Sequence, residues 1–218
     1  MKAPKSKINS LIKFDAAFCD NFVIGLDEAG RGPGAGDVFA AAVYFPEISK
    51  VLKKNLSRLN DSKQLSAKVR DELAEVIKQN SIYSISKASI EEIEKINILQ
   101  SSLLAMKRAT IDVLANVKDE KTPLLLIDGN KTIKDFEITQ KYVIKGDSLS
   151  LSIAAASILA KTERDKYMIE LSQKFPEYDW ENNKGYLTPK HLEAIDKYGI
   201  TEYHRKSFLT RQLKLILK

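Results

Sequence analysis

Apolar positions along the chain fall into short bursts with two different periods. Residues 22–26 form a compact apolar run that stops at Asp27 and Glu28. Residues 38–45 form a second, partly β-branched or aromatic, that stops at Pro46. A glycine-rich stretch joins them, so the pair predicts a strand–loop–strand unit. From 66 to 80 the spacing turns helical, with Val69, Leu73, Val76 and Ile77 on one face. Residues 81–88 predict a further strand. Ser89 with Glu92, and then Asn97 with Gln100, each have the form of a capping box. They predict a short helix followed by a long one that reaches about Val117. Pro123 opens LLLID, a buried-type strand ending at Asp128, and residues 142–144 form a short strand ending near Asp147. The small side chains of LSLSIAAASILAK suit a helix packed tightly on a sheet. Pro176 follows that helix. Thr188 and Pro189 are a cap and first-position pair for another, which Gly199 can terminate. Strands first, then alternation, then helices alone predict an α/β sandwich followed by a C-terminal helical piece.

Composition narrows the classes. At 218 residues the chain is long enough to bury a sizeable core without staples. Cys19 is the only cysteine, which excludes an intrachain disulfide and a cysteine metal cluster. No apolar run approaches the roughly 18 residues of a membrane span, and the basic N-terminus lacks a sustained apolar core and a cleavage site. A cytoplasmic location is therefore expected. The 35 Lys and Arg against 29 Asp and Glu leave a net charge of +6. That excess suits a polyanion such as nucleic acid, and many soluble proteins carry it with no such partner.

Candidate chemistry gathers at the strand ends. Asp27, Asp128 and Asp147 each follow a short apolar strand, with Glu28 beside the first. Ligands of open α/β sheets bind outside the carboxyl ends of parallel strands, so these acids could meet there. Clustered carboxylates raise each other's pKa, and divalent cations with a taste for oxygen, Mg²⁺ or Mn²⁺, relieve that repulsion. Two such ions can stabilise both the attacking and the leaving oxygen of a phosphoryl displacement. A strand-end Asp also serves simply as a turn or helix cap, and the residues alone leave both readings open. Little else competes: there are two histidines, no GxGxxG, no Walker loop and no serine in a nucleophile elbow.

The stretch VIGLDEAGRGPGAGDVFAAAV resembles the opening signature of bacterial ribonuclease HII. Similar blocks follow in order: DSKQLS, INILQSSLLAMKRA, LLIDGN, KGDSLSLSIAAASILAK, GYLTPKHLEAI and HRKSF. The resemblance implies the ribonuclease H fold, a mixed five-stranded sheet flanked by helices with a C-terminal helical segment. It places a catalytic domain at 1–172 and a helical segment, packed on the same domain, at 173–218. It implies cleavage of the RNA strand of RNA–DNA hybrids. It also implies incision on the 5′ side of single ribonucleotides in duplex DNA, leaving 3′-hydroxyl and 5′-phosphate ends. The family's four acids fall on Asp27, Glu28, Asp128 and Asp147, implied to be catalytic and to bind two Mg²⁺ or Mn²⁺ ions. Its Gly-Arg-Gly falls on Gly30, Arg31 and Gly32. Glycines let backbone approach a sugar and its 2′-hydroxyl, and a planar guanidinium fits a phosphate.

Tyr186 matches the family tyrosine that packs on the deoxyribose beside the ribonucleotide. Lys63, Ser157 and Lys161 are implied contacts of the nucleic-acid backbone. His191, Trp180 and Cys19 read as packing residues. The partners implied are RNA–DNA hybrid and ribonucleotide-containing duplex DNA, with no membrane, for a monomer. After Gly-Arg-Gly-Pro the chain departs from the family's Leu-Ala-Gly-Pro, reading Gly34, Ala35, Gly36 and Asp37. Gly34 is expected to loosen the loop and Asp37 to add negative charge near the acids. The sister family, ribonuclease HIII, carries a glutamate at the fourth acid and an extra N-terminal domain; Arg31, Asp147 and the short lead favour HII. Other readings are a silent hybrid-binding module on the same fold, which the full set of acids argues against, and a two-metal nuclease acting on DNA.

Overall fold

The computed structural model describes residues 7–59 and 65–209. Its centre is a five-stranded sheet in the order β3-β2-β1-β4-β5. The strands are β1 (Asn21–Ala29), β2 (Val38–Tyr44), β3 (Ile82–Ala88), β4 (Thr122–Asp128) and β5 (Thr139–Val143). β1 runs parallel to β4, and β4 to β5, whereas β1–β2 and β2–β3 are antiparallel. The sheet is therefore mixed, and β1 and β4 deliver their carboxyl ends to one edge.

Alternation along β1 and β2 sorts side chains between two cores. Ile24, Leu26, Val38, Ala40 and Ala42 face α4 (Ile90–Asn116), against Met106, Ala109 and Val113. Ala29, Ala41 and Val43 face the opposite core, built from α1 (Ile8–Ala16), α3 (Ala67–Asn80) and α5 (Leu151–Lys174). α5 lies very close to the sheet. A Cβ on Gly25 would stand 2.1 Å from the backbone carbon of Ser152. That approach explains the run of Ala154, Ala155, Ala156 and Ser157, all buried.

Local signals set the helix boundaries. Ser89 and Glu92 form a complete capping box. Asn97 has a non-helical φ of 66°, and its Oδ1 accepts from the amides of Leu99 and Gln100, so one helix ends and the next is capped within α4. Thr188 caps α7 (Pro189–Tyr198) and Gly199 ends it at φ 82°.

α1 and the short α2 (Lys50–Asn55) are helices that the apolar pattern did not predict. α1 has no side-chain cap. It is held by burial of Ile8 and Leu11 and by Asp15, whose Oδ2 accepts from Ser152 N and Oγ at 2.9 and 2.7 Å. Past α5 come α6 (Trp180–Asn183) and α7, which enclose a third core with Met168, Tyr178, Trp180 and Ile195. Ala35 of the glycine-rich loop belongs to this core, and it bridges to His204. Cys19 is exposed and not packed. Among the described residues no helix is long and apolar enough to cross a membrane.

Candidate active site

The parallel pairing of β1 with β4 puts Asp27 and Glu28 beside Asp128. Asp27 is buried, and its Oδ1 accepts from the Glu28 amide at 2.7 Å. Burial pushes its carboxyl well above the usual carboxylate range, the charges of Glu28 and Asp128 push it further, and hydrogen bonds from the Glu28 amide and Ser157 oppose the rise. Asp128 Oδ1 accepts from Gly146 N at 2.7 Å. Gly146 opens the 3₁₀ turn Gly146–Ser148 that carries Asp147, entered through the left-handed Lys145. One hydrogen bond thus ties the end of β4 to the turn bearing the fourth acid.

Asp27, Glu28, Asp128 and Asp147 line a single cleft, and Gly30, Arg31, Gly32, Ser157, Lys161 and Tyr186 line it with them. Lys63 lies outside the described residues. Arg31 Nη1 donates to Glu28 Oε1 at 3.1 Å from a half-exposed position. The Tyr186 ring lies over Gly32, because a Cβ there would meet its Cε1 at 3.3 Å, and the residue is 51% exposed. Lys161 Nζ pairs with Asp165 Oδ1 at 2.5 Å, and Arg70 holds the other Asp165 oxygen at 2.9 Å. Burial lowers the Lys161 pKa, and its bond to Asp165 works against that shift.

Two buried arginines that the sequence did not single out hold the glycine-rich loop. Gly30 sits at φ +102°, and a Cβ there would stand 2.0 Å from Arg164 Nε. Arg164 donates to the carbonyls of Asp37, Ala35 and Lys184 at 3.3, 3.1 and 3.0 Å. Arg205 Nε and Nη2 donate to Gly36 O at 2.8 and 2.6 Å, and its Nη1 to Pro33 O at 2.8 Å and Arg31 O at 3.4 Å. The planar fork suits this, since one guanidinium can satisfy several backbone acceptors at once. The only sequence signal for Arg205 is its place in the HRKSF block.

The loop departures act differently from expectation. Gly34 does not leave the loop slack. Its amide donates to Gly185 O, its carbonyl accepts from Arg205 N, and a Cβ there would collide with Leu187 Cδ2 at 2.6 Å. Asp37 is turned away from the acids: its oxygens accept from Lys87 Nζ at 2.8 Å and from Ile90 N, in the first turn of α4, at 3.2 Å. Its charge is neutralised by a cation and a helix N-terminus.

The acids suit divalent cations on their chemistry. They are all-oxygen donors, and buried Asp27 faces the negative charges of Glu28 and Asp128. Among the described residues no group of three or more is drawn tightly enough to hold an ion.

Comparison with known proteins gives one answer. The family model described as Ribonuclease HII matches residues 24–211. The chain is 50% identical over 186 residues to a ribonuclease HII of Pelagibacter ubique, covering 84% of this chain and 94% of the relative. It is 54% identical over 185 residues to that of Bacteroides fragilis, covering 84% and 87%. Among solved structures it resembles Bst ribonuclease HIII in complex with Mn²⁺, at TM-score 0.71 and 17% identity, over 98% of this chain and 74% of that one. That likeness concerns the fold.

Proposed function

The chain belongs to the ribonuclease HII family, and from that premise we propose that it hydrolyses the RNA strand of RNA–DNA hybrids and incises duplex DNA 5′ of a single embedded ribonucleotide, leaving 3′-hydroxyl and 5′-phosphate ends. Membership makes it an endonuclease of the ribonuclease H class, a hydrolase whose family uses divalent metal. The observation that carries the finer reading is the shared cleft, in which four acids stand with Gly30, Arg31, Gly32 and Tyr186.

Asp27, Glu28, Asp128 and Asp147 are the residues that would hold two Mg²⁺ or Mn²⁺ ions, which when bound supply an activated water and charge stabilisation at the leaving 3′ oxygen. The chain's own groups select and align the strand. Gly30 leaves room for the Arg164 guanidinium behind the loop and Gly32 for the Tyr186 ring, so the backbone of both residues lines the cleft and can meet a 2′-hydroxyl. Arg31, held on Glu28 from a half-exposed position, can exchange that partner for a phosphate. Tyr186 offers the face of a half-exposed ring to the neighbouring deoxyribose. Ser157 and Lys161 border the acids and meet the backbone, Lys161 by leaving Asp165. Lys63 is assigned a phosphate contact on the strength of its motif. The segment 173–218 is read as part of the catalytic unit formed by 1–172, because Arg205 and Tyr186 build the reading surface. The chain is proposed to act as a monomer.

The test is a DNA duplex carrying one ribonucleotide, incubated with Mg²⁺, with Mn²⁺ and with chelator, and the cut mapped. Metal-dependent scission 5′ of the ribonucleotide is expected. Scission at deoxyribonucleotide linkages instead would refute it.

A further inference from the structure

The chain has two histidines, and both are buried together behind the cleft. His191 lies on α7 and His204 in the segment that follows it, with Nε2 atoms 3.1 Å apart. Their partners fix the protons. Thr201 N donates to His204 Nδ1 at 2.9 Å, so Nδ1 is an acceptor and, in the neutral ring, Nε2 carries the hydrogen. Trp180 Nε1 donates to His191 Nε2 at 3.0 Å, so that nitrogen accepts and His191 Nδ1 carries its hydrogen. His191 Nδ1 lies 2.9 Å from the Tyr186 carbonyl, which can only accept. Every bond then runs one way: Thr201 amide to His204, His204 to His191, His191 to Tyr186. A proton added to His191 would set its Nε2–H against Trp180 Nε1–H, and one added to His204 would set its Nδ1–H against the Thr201 amide, with only the Thr201 hydroxyl at 3.0 Å left to accept it. Burial accordingly lowers both imidazole pKa values, with His204 pushed down to about 4.

The relay ends at a residue whose ring has little else to hold it. Tyr186 is half exposed, touches Gly32, and follows Gly185, which sits at φ +83°. Its position over Gly32 depends on its backbone: Tyr186 N donates to Asn183 O at 2.9 Å, and the Tyr186 carbonyl accepts from Thr188 N at 2.8 Å and from His191 Nδ1 at 2.9 Å, the one side chain among the described residues that anchors it. Residue 205, next to the origin of the relay, clamps the carbonyls of Arg31, Pro33 and Gly36. Neighbouring residues thus hold the two halves of the reading surface, one through the loop and one through the tyrosine.

We propose that His204 and His191 form a positioning relay that holds Tyr186 in register with the Gly30–Gly32 loop, and so sets the preference for a ribose–deoxyribose junction over uniform hybrid. The inference rests on the reading of Tyr186 given above. Neither histidine touches substrate; both are positioning residues.

Two measurements test it. The first uses the wild-type protein at neutral pH and long-range ¹H–¹⁵N correlation of its two imidazoles. The expected result is one Nδ1–H tautomer, assigned to His191, and one Nε2–H tautomer, assigned to His204. Matching tautomers, or an imidazolium, would overturn the relay without any variant. The second compares cleavage of a single-ribonucleotide duplex with cleavage of a uniform RNA–DNA hybrid in wild type, His191→Leu, Tyr186→Ala and the double variant. Losing one backbone hydrogen bond should lower the junction-to-hybrid ratio in His191→Leu roughly fivefold. His191→Asn, whose amide nitrogen can stand near Nδ1, should recover part of that loss. In the Tyr186→Ala background the histidine change should have no further effect on the ratio, a non-additivity that general destabilisation would not produce. A wild-type ratio in folded His191→Leu, or additive losses, would overturn the relay alone. An unchanged ratio in Tyr186→Ala would overturn the reading of Tyr186 and the relay with it.

Discussion

Arg205→Lys keeps the charge and removes the fork, which makes it a sharp test of how the glycine-rich loop is held. The arginine makes four contacts to three carbonyls, the shortest to Gly36 at 2.6 Å. A lysine offers one nitrogen where the guanidinium offers three, so about half of these contacts should go. Charge-assisted hydrogen bonds are worth about 1.5–3 kcal/mol each. Losing two, with partial relaxation, costs about 3 kcal/mol, a large share of the roughly 5–15 kcal/mol of a typical domain. The burial term has the same sign. Desolvation, and secondly the charge of Arg164, already push the Arg205 pKa down to about 9, and an ammonium gives up water less readily than a guanidinium. Urea unfolding is the assay. With a slope of about 2 kcal/mol per molar, the midpoint should fall by roughly 1.5 M. Amide exchange at Gly34 and Gly36, which bond to Gly185 O and Tyr203 O, should accelerate more than exchange in β1. A midpoint within about 0.3 M of wild type, with unchanged exchange at both glycines, would show that the clamp does not hold the loop.

Four further outcomes follow from the same contacts. Asp27→Asn should cut cleavage by at least about a hundredfold while the thermal midpoint holds or rises, because metal charge stabilisation is worth several kcal/mol and like-charge repulsion falls; near-normal activity would remove Asp27 from the metal set. Gly30→Ala puts a Cβ 2.0 Å from Arg164 Nε at φ +102°, so it should destabilise by about 1–3 kcal/mol in chemical unfolding and weaken cleavage of both substrates. Affinity for hybrid should fall linearly in log–log terms with salt, with a slope near −4 for about four phosphate contacts, and a flat response in a filter-binding titration would make the basic excess incidental. His204 is neutral in the fold down to about pH 4 but accepts a proton near 6.5 when unfolded. Its stability contribution is therefore present above pH 6.5 and lost as pH falls towards 4, on the order of 2 kcal/mol by pH 5; a His204→Gln variant should show a flatter melting profile over that range.

Asp27 and Asp128 were legible because each sits where an apolar run stops, which is a local pattern; Asp147 stands past the end of β5 on a 3₁₀ turn, and its place beside them rests on the bond from Gly146 N to Asp128. The caps were legible too: Ser89, Asn97 and Thr188 each declare a helix within four residues. α1 was not legible, since it lacks a cap and its anchor is Asp15 on Ser152, 137 residues away. The expected charge of Asp37 near the acids failed for a similar reason. Sequence puts it ten residues from Asp27, and the fold turns it to Lys87 and the start of α4. Arg164 and Arg205 were silent because arginine usually belongs to the surface, and the carbonyls they bind have no sequence signature. The two histidines lie thirteen residues apart and reveal their pairing only once α7 is folded.

The buried clamps also bear on how the loop can read a sugar. A trans peptide points its C=O and the following N–H in opposite directions. The carbonyls of Arg31 and Pro33 are drawn inward to Arg205. The amide that follows Arg31 belongs to Gly32, so it is turned away from the guanidinium, on the residue that lines the cleft beneath the Tyr186 ring. The inward hydrogen bonds and the outward donor are thus two ends of one rigid plane. A backbone donor held this way is oriented before substrate arrives, which spares the ordering cost a mobile loop would incur on binding. In the proposed junction reading Tyr186 needs equivalent restraint, because a ring on a loose peptide would meet a sugar in many registers. Beside its backbone bonds to Asn183 and Thr188, the side-chain restraint in the proposed relay comes from neutral imidazoles, which add no charge beside four carboxylates and two buried guanidinium groups. On that proposal the groups that meet substrate can stay exposed because Arg164, Arg205, His191 and His204, which hold them, are buried behind the loop and the tyrosine.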